Sequence, residues 1–98
     1  MQNRKNTIKD KNYILEVCQK LLQARFIREI ETCKYSIKCL VELDEDSNED
    51  ILVRNHILRK FENLGYRVDI LGSLWLEIFF EDVETMIDDC FKVGDESE

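Results

Sequence analysis

The chain of 98 residues contains no proline and only three glycines. Flexible linkers, collagen-like stretches and low-complexity segments depend on those residues, so their scarcity excludes such regions. It predicts one ordered domain over residues 1–98, with 1–9 and 94–98 as fraying ends. The length agrees, since about 100 residues build one hydrophobic core and not two. No apolar run approaches the ~18 residues needed to span a bilayer, and no signal-type apolar block follows Met1 to Asn6. The expectation is a cytoplasmic protein, in a host cytoplasm if the chain is viral, with no membrane contact. Under reducing conditions Cys18, Cys33, Cys39 and Cys90 should then behave as small buried hydrophobes, not as disulfide partners.

Histidine is equally scarce. His56 stands alone, so no His–His relay or shared-histidine metal site can form. No Cys-x-x-Cys occurs, and five residues separate Cys33 from Cys39, which is not a zinc spacing. Asp44, Asp46 and Asn48 imitate the start of a calcium-binding loop. That match fails where Glu49 replaces the required glycine and Asn55 the closing glutamate. There is no glycine-rich phosphate loop and no local Cys–His motif. The pattern predicts a non-enzymatic protein without cofactor or metal.

Charge, by contrast, is abundant and lopsided. Residues 1–38 carry nine Lys/Arg against four Asp/Glu, a balance of +5, whereas residues 39–98 carry five against seventeen, a balance of −12. An acidic balance opposes direct binding to nucleic-acid phosphates, which relies on Lys and Arg. Two acidic clusters stand out: Asp44, Glu45, Asp46, Glu49 and Asp50, then Glu81, Asp82, Glu84, Asp88 and Asp89. Such clusters confer solubility or dock on a basic surface, including one built to hold nucleic acid.

The apolar pattern supplies an architecture. Ile14, Leu15, Cys18, Leu21, Leu22 and Phe26 fall at helical spacing and predict a first helix over residues 10–31. Val17, Ala24, Ile27 and Ile30 lie off that stripe and call for a second contact. Tyr35, Ile37, Cys39, Val41 and Leu43 alternate at period two and predict a strand. Ser47 and Asp50 resemble a capping box for a second helix with Val53, Ile57, Leu58, Phe61 and Leu64 inward, stopped by Gly65. Residues 66–80 predict a hairpin with the odd loop Leu71-Gly72-Ser73 or an adjacent bulge. That loop pairs Ile70 with Leu74, Val68 with Leu76 and Tyr66 with Ile78. Asp82 is positioned to cap a third helix bearing Val83, Met86, Ile87 and Cys90.

The predicted order is therefore α-β-α-β-β-α: a single α+β domain, its three-stranded mixed sheet backed by helices, with the strand at 74–80 central and antiparallel to both neighbours. Trp75, Phe79 and Leu40 fall on the sheet face away from the helices. With Ile27 and Ile30 they form a candidate apolar interface, within the chain or in a homodimer.

The stretch Phe61-Glu62-Asn63-Leu64-Gly65-Tyr66-Arg67-Val68-Asp69-Ile70, continued by Leu74-Trp75-Leu76-Glu77-Ile78, resembles the ending of many small accessory proteins of tailed bacteriophages of Gram-positive bacteria. The likeness is a helix, a Leu-Gly-Tyr corner and a terminal hairpin over residues 35–80; the acidic extension after Phe80 departs from it. Some small acidic phage proteins inhibit host or defence machinery, anti-CRISPR proteins among them. The resemblance thus implies an inhibitor or regulator binding a basic surface of a partner such as a nucleic-acid-binding protein or nuclease. The alternative expectation is a structural or assembly protein that self-associates.

Overall fold

In the computed structural model, which describes residues 7–42 and 49–92, the elements run α1 (Thr7–Gln23), β1 (Glu29–Thr32), β2 (Ser36–Leu40), α2 (Glu49–Asn63), β3 (Arg67–Leu71), β4 (Trp75–Phe79) and α3 (Val83–Cys90). The strands form one four-stranded sheet in the order β1-β2-β4-β3, with every neighbouring pair antiparallel. This corrects the expected three-stranded mixed sheet in strand number, element order and type. The central place of the strand after Gly72, antiparallel to both neighbours, is as the apolar pattern predicts.

The difference arises at the end of α1. The helix stops at Gln23, well short of Glu31, because Arg25 takes a left-handed conformation with φ of 69°. Arg25 N–H then donates to the Leu22 carbonyl at 3.0 Å and Phe26 N–H to that of Leu21 at 2.9 Å, the paired bonds of a Schellman closure. Released from the helix, Ile27 turns into the core and Glu29–Thr32 pairs with β2, Ile30 opposite Cys39. At the other end, residues 7–9, expected to fray, belong to the first helical turns.

Helix α2 closes the same way with the residue type that announces it. Gly65, at φ of 97°, sends its N–H to the Glu62 carbonyl, and Tyr66 N–H reaches that of Phe61. The Phe61 and Tyr66 rings meet edge to face at 6.1 Å, the apolar contact that accompanies this closure.

The β3–β4 hairpin has an odd loop, but it is Gly72-Ser73-Leu74, one position later than expected. Leu71 pairs with Trp75, Ile70 with Leu76 and Val68 with Ile78. Two anchors fix this register. The Leu74 carbonyl accepts from Val41 N–H at 2.8 Å, and the Ser73 carbonyl accepts from Arg54 Nη1 at 2.6 Å. Moving the loop by one position moves each cross-strand pairing by two residues, an even shift that keeps the faces in phase, so Val68, Leu76, Ile78 and Phe80 still point inward.

Helix α1 packs over β1 and β2, and α2 over β3 and β4. The core between helices and sheet contains Ile14, Cys18, Ile37, Cys39, Val41, Ile57, Phe61, Leu76 and Ile78. Each large aliphatic or aromatic side chain there contributes roughly 1.5–3 kcal/mol by leaving water.

Candidate protein-interaction surface

Asp82 starts α3. Its side chain accepts from Thr85 N–H at 2.8 Å, satisfying one of the unpaired donors of the first turn. The helix is amphipathic, yet none of its residues is buried. Val83, Ile87 and Phe91, spaced four apart, form one ridge and are 45%, 51% and 82% exposed. Glu84 and Asp88 flank that ridge and are exposed as well. On the opposite border Asp89 is engaged: Tyr35 Oη donates to its Oδ2 at 2.7 Å, and Lys92 lies at 3.7 Å. These contacts, the Tyr35 bond foremost, hold the Asp89 carboxyl below its ordinary range. The second acidic cluster thus divides into a cap, a tether and a solvent-facing pair, with Glu81 half-buried before the cap.

The first cluster divides differently. Asp44, Glu45 and Asp46 lie outside the described residues. Glu49 is exposed in the first turn of α2, but Asp50, expected on the acidic surface, is only 6% exposed and has a partner in the structure. A carboxylate in the first turn also sits favourably in the field of the helix N-terminus, which draws it inward.

The candidate apolar interface is divided too. Ile27 belongs to the core, so it cannot form a contact between copies, and Ile30 packs against the core's edge. Leu40 and Trp75 are direct partners on the far face, in a row continued by Leu71. The next row reads Glu31, Lys38, Glu77 and Asp69 across the four strands. Ser36 Oγ donates to Glu77 Oε2 at 2.5 Å. Beyond it the Arg67 guanidinium stacks on the Phe79 ring at 4.2 Å while reaching Asp69 at 3.0 Å. Trp75 and Phe79 are each half-buried, Phe79 beneath this arginine.

A feature that the sequence only hinted at lies between α1 and α2. The helices leave a cleft of about 430 Å³ lined by Tyr13, Val17, Leu21, Phe61 and Leu64 among others. A second cleft of about 390 Å³ shares Leu21, His56 and Ile57 with it and adds Phe26 and Leu52. Together they form one apolar groove. Its α2 edge carries His56 and Lys60, and Lys20 stands one turn from Val17 on α1. A stack of Tyr13 on Tyr66 at 6.4 Å, with the Tyr66 hydroxyl donating to Asp10, closes one end. The off-stripe Val17 was the one signal of this groove in the sequence.

Cys18 and Cys39 are buried side by side, whereas Cys33 is half-buried and Cys90 exposed, all as free thiols. Its hydrogen bond to Cys18, reinforced by burial, pushes the Cys39 thiol up and keeps it protonated. His56 lines the groove, whose lining contains no cysteine. Among the described residues, no cluster of three or more His, Cys, Asp or Glu is placed to hold a metal ion. None of their helices is long and apolar enough to cross a membrane.

No family model, no curated protein and no solved structure matches the chain.

Proposed function

We propose that this chain works by binding and not by catalysis, as an inhibitor or regulator that docks α3 on a basic surface of another protein. The observation that carries this reading is the ridge of Val83, Ile87 and Phe91, exposed beside Glu84 and Asp88. An amphipathic helix with no buried side chain leaves its apolar face in water at a cost, and burying that face against a partner groove removes the cost. The acidic border supplies steering and selects a partner with cations at the groove edge. A nuclease or other nucleic-acid-binding protein of a host or its defence system, with its basic cleft, fits that description. The phage-type and anti-CRISPR-like character rests on the resemblance of residues 35–80.

The test is affinity capture from host lysate at low and high salt, with wild type and the Glu84→Lys/Asp88→Lys variant as baits. Both positions are exposed, so the double reversal leaves the core intact. Wild type should retain a basic protein at low salt and release it at high salt, while the variant binds at least about tenfold more weakly. Equal retention by the two baits rejects the reading.

A second reading, a structural or assembly protein acting as a homodimer, is favoured by the open apolar groove between α1 and α2.

A further inference from the structure

We propose that the α1–α2 groove receives α3 from a second copy of the chain, so that two copies exchange C-terminal helices around a two-fold axis. The inference goes beyond the docking of α3 on a foreign partner and does not depend on it.

The occupant is identified by fit in spacing and in charge. Tyr13, Val17 and Leu21 line the α1 wall at intervals of four residues. Val83, Ile87 and Phe91 repeat that interval on α3. Both series run about 12 Å at 1.5 Å per residue, so a helix laid along the groove can seat one ridge between the side chains of the other. Leu52, 67% exposed on the α2 side, and Phe26 at the far end extend the apolar floor for the same occupant.

Charge complements the apolar match. Glu84 and Asp88 border the ridge, and the cation Lys60 lines the groove. Within one copy α3 is held at the Tyr35 end: Phe80 N–H donates to the Tyr35 carbonyl at 3.0 Å, and Asp89 accepts from the Tyr35 hydroxyl. Only Glu81 and Asp82 separate Phe80 from the helix. The arrangement presents α3 outward, and a two-fold axis then uses the same contact twice.

Sedimentation velocity of the full chain from micromolar to millimolar concentration tests the proposal without any other partner. Wild type should pass from monomer to dimer. Ile87→Asp, which disables the helix, and Leu52→Asp, which disables the groove, should each weaken dimerisation at least about tenfold. An equimolar mixture of the two variants keeps one sound helix facing one sound groove, so it should associate more tightly than either variant alone. Lys60→Glu should weaken the dimer, and adding Asp88→Lys to it should restore association. Far-UV circular dichroism checks that each variant is folded. A wild-type monomer throughout the range overturns the proposal, and so does a dimer indifferent to both Asp substitutions or a mixture no better than its parents. A monomer that still captures a basic protein in a salt-dependent way would overturn the exchange alone and leave the docking of α3 standing.

Discussion

The hydroxyl of Tyr35 donates a 2.7 Å hydrogen bond to Asp89, joining the β1–β2 turn to a helix 54 residues further along the chain. The bond stabilises the ionised carboxylate, with Lys92 and Lys34 adding to the effect, so the Asp89 pKa is lowered. For a lowered carboxylate the contribution is present above its unfolded pKa and is lost as the pH falls through the folded one. The tether of α3 should therefore release in acid. Tyr35→Phe should release it at neutral pH, with amides of residues 83–91 exchanging several-fold faster while the core amides stay unchanged.

Arg25 and Gly65 occupy equivalent positions in the two helix closures, at φ of 69° and 97°. A left-handed residue with a Cβ costs about 1 kcal/mol more than glycine there. Arg25→Gly should accordingly raise stability by about 0.5–1 kcal/mol in urea denaturation, and Gly65→Ala should lower it by about 1 kcal/mol. An added Cβ at Gly65 meets nothing within 4 Å, so the loss measures the backbone alone.

That pair also marks how much of the fold could be read from the sequence. Gly65 announces the end of α2, and Asp82 the start of α3, because each supplies a conformation or acceptor that the terminus needs. Arg25 announces nothing. Ile27 and Ile30 continue an apolar spacing compatible with a helix, and Glu29–Thr32 is a four-residue edge strand with one half-buried apolar side chain. Its pairing with β2, not its local preference, makes it a strand. Of the candidate surface, the amphipathic character of α3 was legible in its spacing. Periodicity does not reveal what a helical face opposes, so neither the exposure of Val83, Ile87 and Phe91 nor the groove beside Val17 could be read directly. The burial of Asp50 was hidden for the same reason.

Tyr66 carries a pH dependence of the opposite sense. Burial first, and then the hydrogen bond it donates to Asp10, push its phenol up to about 12. A raised pKa contributes stability that is complete below the unfolded value of about 10 and is lost as the pH rises through the folded one. Stability in urea should fall between about pH 10 and 12 for this reason, and Tyr66→Phe should reduce that fall.

The four thiols should separate by reactivity. Cys90 is exposed and should alkylate first, then the half-buried Cys33. Cys18 and Cys39, fully buried, should be protected by more than about 10³-fold until the domain opens. Truncating their neighbour Leu76, which is also fully buried, to alanine should cost about 2–5 kcal/mol and expose both thiols together.

Hydrogen exchange of residues 83–91 tests the central claim most directly, measured on the dilute chain alone and again with the basic protein recovered by capture. In the dilute chain α3 should exchange faster than α1 and α2, because none of its residues is buried. On binding, the account predicts strong protection confined mainly to α3, with the amides of β2 and β4 unchanged. Protection appearing on the far face of the sheet or elsewhere, while residues 83–91 continue to exchange as in the free chain, would contradict it.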